Sequence, residues 1–275
     1  MALGSVRAAV SKSAAVKERR ATAGLSARNL ALVTEEYTET ALHFEAARLP
    51  RLLERHLPPG PLALADLGCG DGPLFPALER GGFIGPERPV YAVDLAPARL
   101  ARVRARFPWI ETIAASADSV PLIADGTLDF VCSTMVLEHV PDESAYLAEI
   151  RRLLRPGGEA YVTTVYKKRW AWYFRKRDGE SVLDTSHLRE YIDVDVVRRL
   201  VTEAGFGIVA LERRLLWFPL LDPVLFRLGR YQALSARQSL LRALRAPKVP
   251  IPGYYSLEIV VEGTGQTPGV YSDDG

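Results

Sequence analysis

Short apolar runs and longer amphipathic stretches alternate along the chain after residue 61. We predict strands for the apolar runs at 62–67, 90–95, 110–115, 128–134, 160–165, 207–211 and 255–261. We predict helices, because apolar residues recur at helical spacing, at 73–80, 97–106, 142–154 and 193–204. Strands that alternate with helices of this length indicate an α/β fold with a parallel sheet covered by helices on both faces.

The two ends of the chain depart from this pattern. Residues 1–34 are rich in Ala, Ser, Arg and Lys, a composition similar to that of a mitochondrial transit peptide, although we favour a helical or frayed leader. Residues 35–56 have helical spacing, and the Pro-rich stretch at 57–61 ends that helix. The Gly-, Ser- and Asp-rich tail at 264–275 is expected to be loose.

These patterns divide the chain into segments. A helical leader and cap at 1–61 precedes an α/β core at 62–212, and the core carries a lid insertion at 166–190. A basic and apolar insertion at 213–250 is predicted to form helices over the mouth of the core. A last strand at 251–263 follows that insertion.

Composition and charge exclude several classes of protein. The chain has 275 residues, of which 48% are hydrophobic and 25% charged, as is typical of a globular protein. No apolar run approaches the roughly 18 residues of a membrane span. Two cysteines exclude a disulfide framework and fit a reducing compartment, so we expect a cytoplasmic protein. The net charge of +2 lacks the basic excess of a nucleic-acid binder, and we expect no nucleic-acid partner.

A glycine turn follows the first predicted strand, in the run Asp66-Leu67-Gly68-Cys69-Gly70-Asp71-Gly72. Glycines let the backbone approach a ligand closely because they carry no side chain. Pro73 stands where the dinucleotide fingerprint G-x-G-x-x-G has its third glycine, which disfavours NAD(P). Asp94 ends the next strand, where an acid can accept hydrogen bonds from ribose hydroxyls; the alternative is an N-cap for the helix that begins near Pro97.

Further motifs follow in a fixed order along residues 62–165. They are 90–94 (VYAVD), 117–122 (ADSVPL), 125–129 (DGTLD), 136–142 (VLEHVPD) and 154–158 (LRPGG). Together with the glycine turn, this set resembles the class I S-adenosylmethionine-dependent methyltransferases of the broad type 11 group. The resemblance implies a doubly wound seven-stranded sheet of order 3-2-1-4-5-7-6 with the last strand antiparallel. It also implies that S-adenosyl-L-methionine lies at the carboxyl ends of the strands.

The resemblance assigns the cofactor contacts residue by residue. The predicted contacts are Asp66, Gly68, Cys69, Gly70, Asp94, Leu95, Ser116, Ala117, Asp118 and Tyr37. One position departs from the family, which has Gly-Asp-Ala-Glu where this chain has Ala115-Ser116-Ala117-Asp118. Ser116 replaces the aspartate that binds the adenine amino group, so we expect Ser116 and the Ala117 N–H to hold the adenine.

Three residues are candidate catalytic groups. His139 follows the fourth strand, His187 lies in the lid insertion, and Glu138 precedes His139. A neutral imidazole suits the removal of a hydroxyl proton during methyl transfer, and it predicts an acidic limb of the pH profile at roughly pH 6–7. The alternatives are a loop histidine bonded to the backbone and a Glu138 that only caps the next helix. We predict no metal ion.

Two basic and apolar segments bear on the acceptor. Residues 166–177 contain six basic and five aromatic residues, a composition that can face sugar rings, stack bases, contact a membrane interface or pack as a lid. Residues 213–250 contain eight basic residues and one acid, Asp222, together with apolar side chains. This second segment can form a packed helical cap, line a pocket for a lipid-linked acceptor or rest on an anionic membrane.

The sequence therefore favours an S-adenosylmethionine-dependent methyltransferase of a small molecule. We expect O-methylation of a sugar or glycosylated metabolite. The alternative acceptor is an isoprenoid quinone or another lipid at a membrane surface. A second alternative is a catalytically silent, cofactor-binding scaffold.

Overall fold

The computed structural model describes residues 48–221, 224 and 243–263. Five helices are described: α1 Arg51–His56, α2 Phe75–Arg80, α3 Pro97–Arg106, α4 Glu143–Leu153 and α5 Val194–Glu203. Nine strands are described: β1 Leu64–Leu67, β2 Val90–Asp94, β3 Glu111–Ala114, β4 Leu128–Thr134, β5 Leu154–Lys167, β6 Lys176–Arg177, β7 Glu180–Ser181, β8 Phe206–Pro219 and β9 Lys248–Gly263.

Seven of these strands form the central sheet, in the order β3-β2-β1-β4-β5-β9-β8. The first five are parallel neighbours, and β9 runs antiparallel between β5 and β8. Because β8 and β9 are the sixth and seventh strands of this sheet, the predicted order 3-2-1-4-5-7-6 is confirmed. The strands β6 and β7 form a separate hairpin inside the predicted lid.

Two hydrophobic cores lie on opposite faces of the sheet, because successive strand residues point to opposite sides. Leu64 belongs to one core and Ala65 to the other, and Ala92 and Val93 alternate in the same way. The core that contains Ala65 packs the sheet against α4 and α5, and the core that contains Leu64 packs it against α1, α2 and α3. The sheet is therefore covered on both faces, as the pattern of elements predicts.

The largest departure from the sequence prediction concerns the residues after 212. The prediction of a helical insertion over 213–250 is wrong at both ends, because 213–219 continue β8 and 248–250 begin β9. Local periodicity did not indicate a strand here. The register pairs Arg213 with Leu257 and Pro219 with Lys248, so the neighbouring strand supplies the hydrogen bonds that hold this segment extended.

Several predictions fall outside the described residues. The leader at 1–34, Tyr37 and the first part of the helix predicted at 35–56 lie in the undescribed range 1–47. Most of the remaining insertion and the tail at 264–275 also lie outside. Within the described part of the chain, no helix is long and apolar enough to cross a membrane.

Candidate active site

The glycine turn after β1 follows a backbone path that favours residues without a side chain. Gly68, Gly70 and Gly72 have φ values of +72°, +57° and +69°. A Cβ added to Gly68 would lie 2.4 Å from Cγ2 of Val136, in the segment after β4. The turn therefore approaches that segment more closely than a side chain at residue 68 would allow.

Hydrogen bonds attach this turn to the end of β2. The N–H groups of Gly68 and Cys69 both donate to the Val93 carbonyl, at 2.8 and 2.9 Å. The Cys69 thiol is buried, and this burial raises its pKa well above the ordinary value, so it remains a neutral packing group. A contact of Cys69 with the cofactor, as predicted, would therefore involve its backbone and not a reactive thiolate.

Asp94 links the turn to the next helix. Its Oδ2 accepts from the Gly70 N–H and its Oδ1 from the Ala96 N–H, both at 2.8 Å. The N-cap residue of α3 is Ala96, so Asp94 shapes the entry to that helix without being its cap. A carboxylate has about four acceptor positions, and those left over can receive ribose hydroxyls.

Asp66 is a buried carboxyl at the carboxyl end of β1. Burial, and then the nearby Asp94 charge, raises the pKa of Asp66 to about 8. Its Oδ1 has no hydrogen-bond partner among the described residues. An unpaired buried carboxyl suits a cationic ligand, and S-adenosyl-L-methionine carries both an ammonium and a sulfonium group.

The residues predicted to hold the adenine follow β3, next to Asp94. The Ala115 N–H donates to the Asp94 carbonyl at 3.2 Å, and the Ser119 N–H donates to the Ser116 carbonyl at 3.1 Å. Ala117 is buried, whereas Ser116 and Asp118 are half-buried. Together with the exposed Leu95, the described members of the predicted cofactor set thus lie along the carboxyl ends of β1, β2 and β3.

The three predicted catalytic residues come together, although the lid residue is 48 positions from His139. The ring centroids of His139 and His187 are 4.8 Å apart, at an interplanar angle of 74°. Oε1 of Glu138 lies 4.0 Å from Nε2 of His187. One ligand atom from each of the three lies within 4.8 Å of the others. Two imidazoles and a carboxylate are also metal-ligand types, a set that the sequence analysis did not predict.

Glu138 is fully buried at the centre of this group. Its Oε2 accepts from the Thr164 hydroxyl at 2.9 Å, and its Oε1 lacks a hydrogen-bond partner within the described part of the chain. Burial raises the pKa of Glu138. The alternative that Glu138 caps the next helix is wrong, because Asp142 caps α4 by accepting from the N–H groups of Ser144 and Ala145.

Sequence reasoning missed Glu190, which holds His187 from the other side. Oε1 of Glu190 lies 2.8 Å from Nδ1 of His187. Its Oε2 lies 3.0 Å from Nζ of Lys167 and accepts from the Tyr254 hydroxyl at 3.2 Å. Burial opposes ionisation of Glu190, but hydrogen bonds from His187 and the Leu183 N–H lower its pKa. The i, i+3 spacing of His187 and Glu190 was the feature of the sequence that could have indicated this contact.

His139 is the more accessible ring of the two. It is half-buried, whereas His187 is buried. Burial, and then the charge of His187, lowers the pKa of His139 to about 4. Nδ1 of His139 lies 3.5 Å from the Ser186 hydroxyl, and a hydrogen bond to the Ser186 backbone favours the charged ring, so the bonding partner is a lid residue. The ring is therefore neutral near pH 7, with a lone pair free for a proton.

The raised pKa of Asp66 predicts how stability varies with pH. An unfolded aspartate titrates near 3.8, so between about pH 4 and 8 the folded chain binds this proton more tightly. The contribution of Asp66 to the free energy of unfolding thus falls as pH rises through that window, by at most about 1.4 kcal/mol per pH unit. Asp66→Asn removes this fall, which urea unfolding at a series of pH values measures. Parallel pH profiles of the variant and the wild type would contradict the assignment, and Asp125→Asn is an exposed control.

Comparison with known proteins shows which family this site is similar to. The family model described as a methyltransferase domain matches residues 65–162. The malonyl-[acyl-carrier protein] O-methyltransferase of Halorhodospira halophila is 33% identical over 183 residues, covering 62% of this chain and 58% of that protein. The ubiquinone biosynthesis O-methyltransferase of Sodalis glossinidius is 31% identical over 144 residues, covering 51% and 56%. The chain thus spans less than three fifths of either relative.

Solved structures agree on the fold. An S-adenosylmethionine-dependent methyltransferase from Methanosarcina mazei superimposes with a TM-score of 0.53 at 16% identity, covering 78% of this chain and 98% of that one. An identity this low shows the fold alone. The family match lies on the segment that holds the glycine turn, Asp94 and His139. Residues 65–162 thus match the methyltransferase-domain model, in agreement with the resemblance that the motifs carry.

Proposed function

We propose that this protein transfers a methyl group from S-adenosyl-L-methionine to a hydroxyl oxygen of a small molecule, with His139 as the proton acceptor. The observation that carries the proposal is the neutral, half-buried His139 ring against His187, at the carboxyl end of β4. The Val136 contact with Gly68 puts this segment beside the glycine turn. A base and a cofactor turn would then share one cleft.

The residues of the turn would hold the cofactor. The glycines would let the backbone of the turn approach the cofactor closely, Asp94 would accept the ribose hydroxyls, and Asp66 would face the ammonium group. When bound, S-adenosyl-L-methionine supplies an activated methyl group on sulfur. The protein's main contribution is then alignment, which can amount to roughly 7–11 kcal/mol of the barrier.

His139, positioned by His187, would accept the proton of the acceptor hydroxyl. His139 takes this proton on a ring nitrogen, and the buried His187 holds the His139 ring edge-to-face. Glu190 fixes the His187 ring through Nδ1, so His187 and Glu190 are positioning residues. General base catalysis of this kind contributes about 10²–10⁴-fold.

A cleft beside Glu190 supports a polyhydroxylated acceptor. The cleft has a volume of about 410 Å³ and is lined by Lys167, Arg177, Asp178, Glu180, Val182, Glu190 and Ile192. Ammonium and guanidinium donors alternate there with carboxylate acceptors. Hydroxyl groups can bond to both kinds of partner, which favours a sugar or glycosylated metabolite.

A second candidate acceptor is the ring hydroxyl of a quinone precursor. A small apolar cluster between the lid and β9, which includes Tyr173, Ile251 and Tyr254, has Met135 packed against it after β4. The partly buried members of this cluster, which include Met135 and Phe174, would suit contact with a flat apolar ring, and one relative is named for ubiquinone biosynthesis. Methyl transfer from labelled S-adenosyl-L-methionine to glycosylated and to phenolic acceptors distinguishes the two classes. Transfer to neither class, with S-adenosylhomocysteine still bound, would favour the silent scaffold.

Calorimetry tests the cofactor assignment. Asp94→Ala is expected to weaken S-adenosylhomocysteine binding by roughly 10- to 150-fold, because hydrogen bonds to a charged acceptor contribute about 1.5–3 kcal/mol. The wild type should bind S-adenosylhomocysteine and not NAD. Asp125→Ala, at the opposite end of the sheet, should bind like the wild type. An unchanged affinity in a folded Asp94→Ala variant would mean that Asp94 only shapes the loop.

Turnover of the histidine variants tests the base. His139→Ala is expected to lower turnover by about 10²-fold or more, with nearly unchanged affinity for S-adenosylhomocysteine. Since burial lowers the pKa of His139 to about 4, the acidic limb of the rate profile should lie near that pH, below the range predicted from the sequence. His56→Ala, on α1, is the control. Near-normal turnover of His139→Ala, of His187→Ala and of the double variant would favour positioning alone, or a nitrogen or carbon acceptor.

A further inference from the structure

Three exposed tryptophans surround one stretch of β9. Trp170, Trp172 and Trp217 are 67%, 55% and 54% exposed. The backbone N–H of Trp172 donates to the Pro252 carbonyl at 3.1 Å. Trp217 pairs with Pro250 in the β8–β9 register. A Cβ on Gly253 would lie 3.1 Å from Cζ3 of Trp170. The three tryptophan residues thus lie next to residues 250–253.

This stretch belongs to a two-stranded ribbon that projects past the rest of the sheet. The pairing of β5 with β9 ends at Lys167 and Tyr254, whereas β8 and β9 stay paired as far as Pro219 and Lys248. The ribbon packs on the lid through Phe218, whose ring lies 5.5 Å from the Tyr173 ring. Leu215 and Trp217 of the same strand are exposed.

Cations outnumber acids around the ribbon. Residues 162–177, 213–221 and 243–257 contain ten Lys and Arg. Lys167, Arg175 and Arg214 lie in ion pairs with Glu190, Asp184 and Glu258. Lys168 and Arg213 each lie 5.6 Å from the Tyr166 ring centre. Arg169 and Lys248 are exposed beside the tryptophans. The result is a surface with exposed indoles and a cationic surround.

We propose that this tryptophan surface, formed by Trp170, Trp172, Trp217, Leu215 and Leu220, binds the headgroup layer of an anionic lipid bilayer. Indole rings prefer the membrane interface because they combine an apolar ring with a hydrogen-bond donor. Cations next to an apolar surface are attracted to anionic headgroups. A nucleic acid would use the cations and stack on the indoles, but it would leave the aliphatic side chains of Leu215 and Leu220 without a role.

The proposal goes beyond methyl transfer and is tested separately from it. The full chain is sedimented with vesicles of phosphatidylcholine alone and with vesicles that also contain phosphatidylglycerol. We expect binding to the anionic vesicles only, a blue shift of tryptophan fluorescence on binding, and release at high salt. The triple variant Trp170→Ser, Trp172→Ser and Trp217→Ser should bind anionic vesicles at least tenfold more weakly.

Matched variants make the outcome decisive. Leu122→Ser removes another exposed apolar side chain, after β3, and should bind vesicles like the wild type. Lys168→Gln, Arg169→Gln and Lys248→Gln together should weaken binding and reduce its salt dependence. Circular dichroism and S-adenosylhomocysteine affinity show whether each variant is folded. If the wild type itself does not bind S-adenosylhomocysteine, that result counts against the proposed function and not against the membrane proposal. Absent vesicle binding, equal binding of the triple tryptophan variant, or binding of a single-stranded oligonucleotide in place of vesicles would overturn the proposal.

Discussion

The missing side chain at Gly68 is the constraint on which the candidate site depends. Because the turn after β1 carries no Cβ there, it can lie against Val136 in the segment after β4. That contact brings the end of β1, with its buried Asp66, next to the loop that carries Glu138 and His139. A larger residue would have to displace Val136, and with it the segment that positions the histidine pair. The geometry of the cofactor turn and that of the candidate base are thus coupled through one close approach.

Buried ionisable groups occur at this site in a way that stability alone does not explain. Asp66 and Glu138 each keep a carboxyl oxygen without a hydrogen-bond partner among the described residues. Burying such groups costs free energy unless a ligand or a proton satisfies them. Asp129 shows the opposite arrangement: it accepts hydrogen bonds from Arg88, Arg155 and the Ala63 N–H, which lower its pKa despite partial burial. Asp66 and Glu138 thus offer incompletely bonded carboxyls among the candidate ligand groups, whereas Glu190 at the same site is bonded through both oxygens.

The lid and the ribbon form one structural unit. Tyr173 and Tyr254 pack together in a small core of their own, and the Tyr254 hydroxyl donates to the Ser181 carbonyl. The same hydroxyl lies 3.2 Å from Oε2 of Glu190, which holds His187. A contact chain therefore runs from the ribbon through the lid to the histidine pair. Any partner of the exposed ribbon would act on an element that also orients the candidate site.

The sequence by itself determined the features that depend on local chemistry. Apolar periodicity predicted the order and type of the elements, and the run from Asp66 to Gly72 predicted the cofactor turn, because turns and strand ends are specified by residues near in sequence. The resemblance then supplied the sheet order and the pairing of Asp94 with that turn. Only the tertiary structure decided that His139 and His187 touch, that Glu190 holds the second ring, that the pKa of His139 falls to about 4, and that residues 213–219 are a strand. Each of these depends on which distant segments pack together and on how deeply they are buried, and neither is encoded in the spacing of residues along one segment.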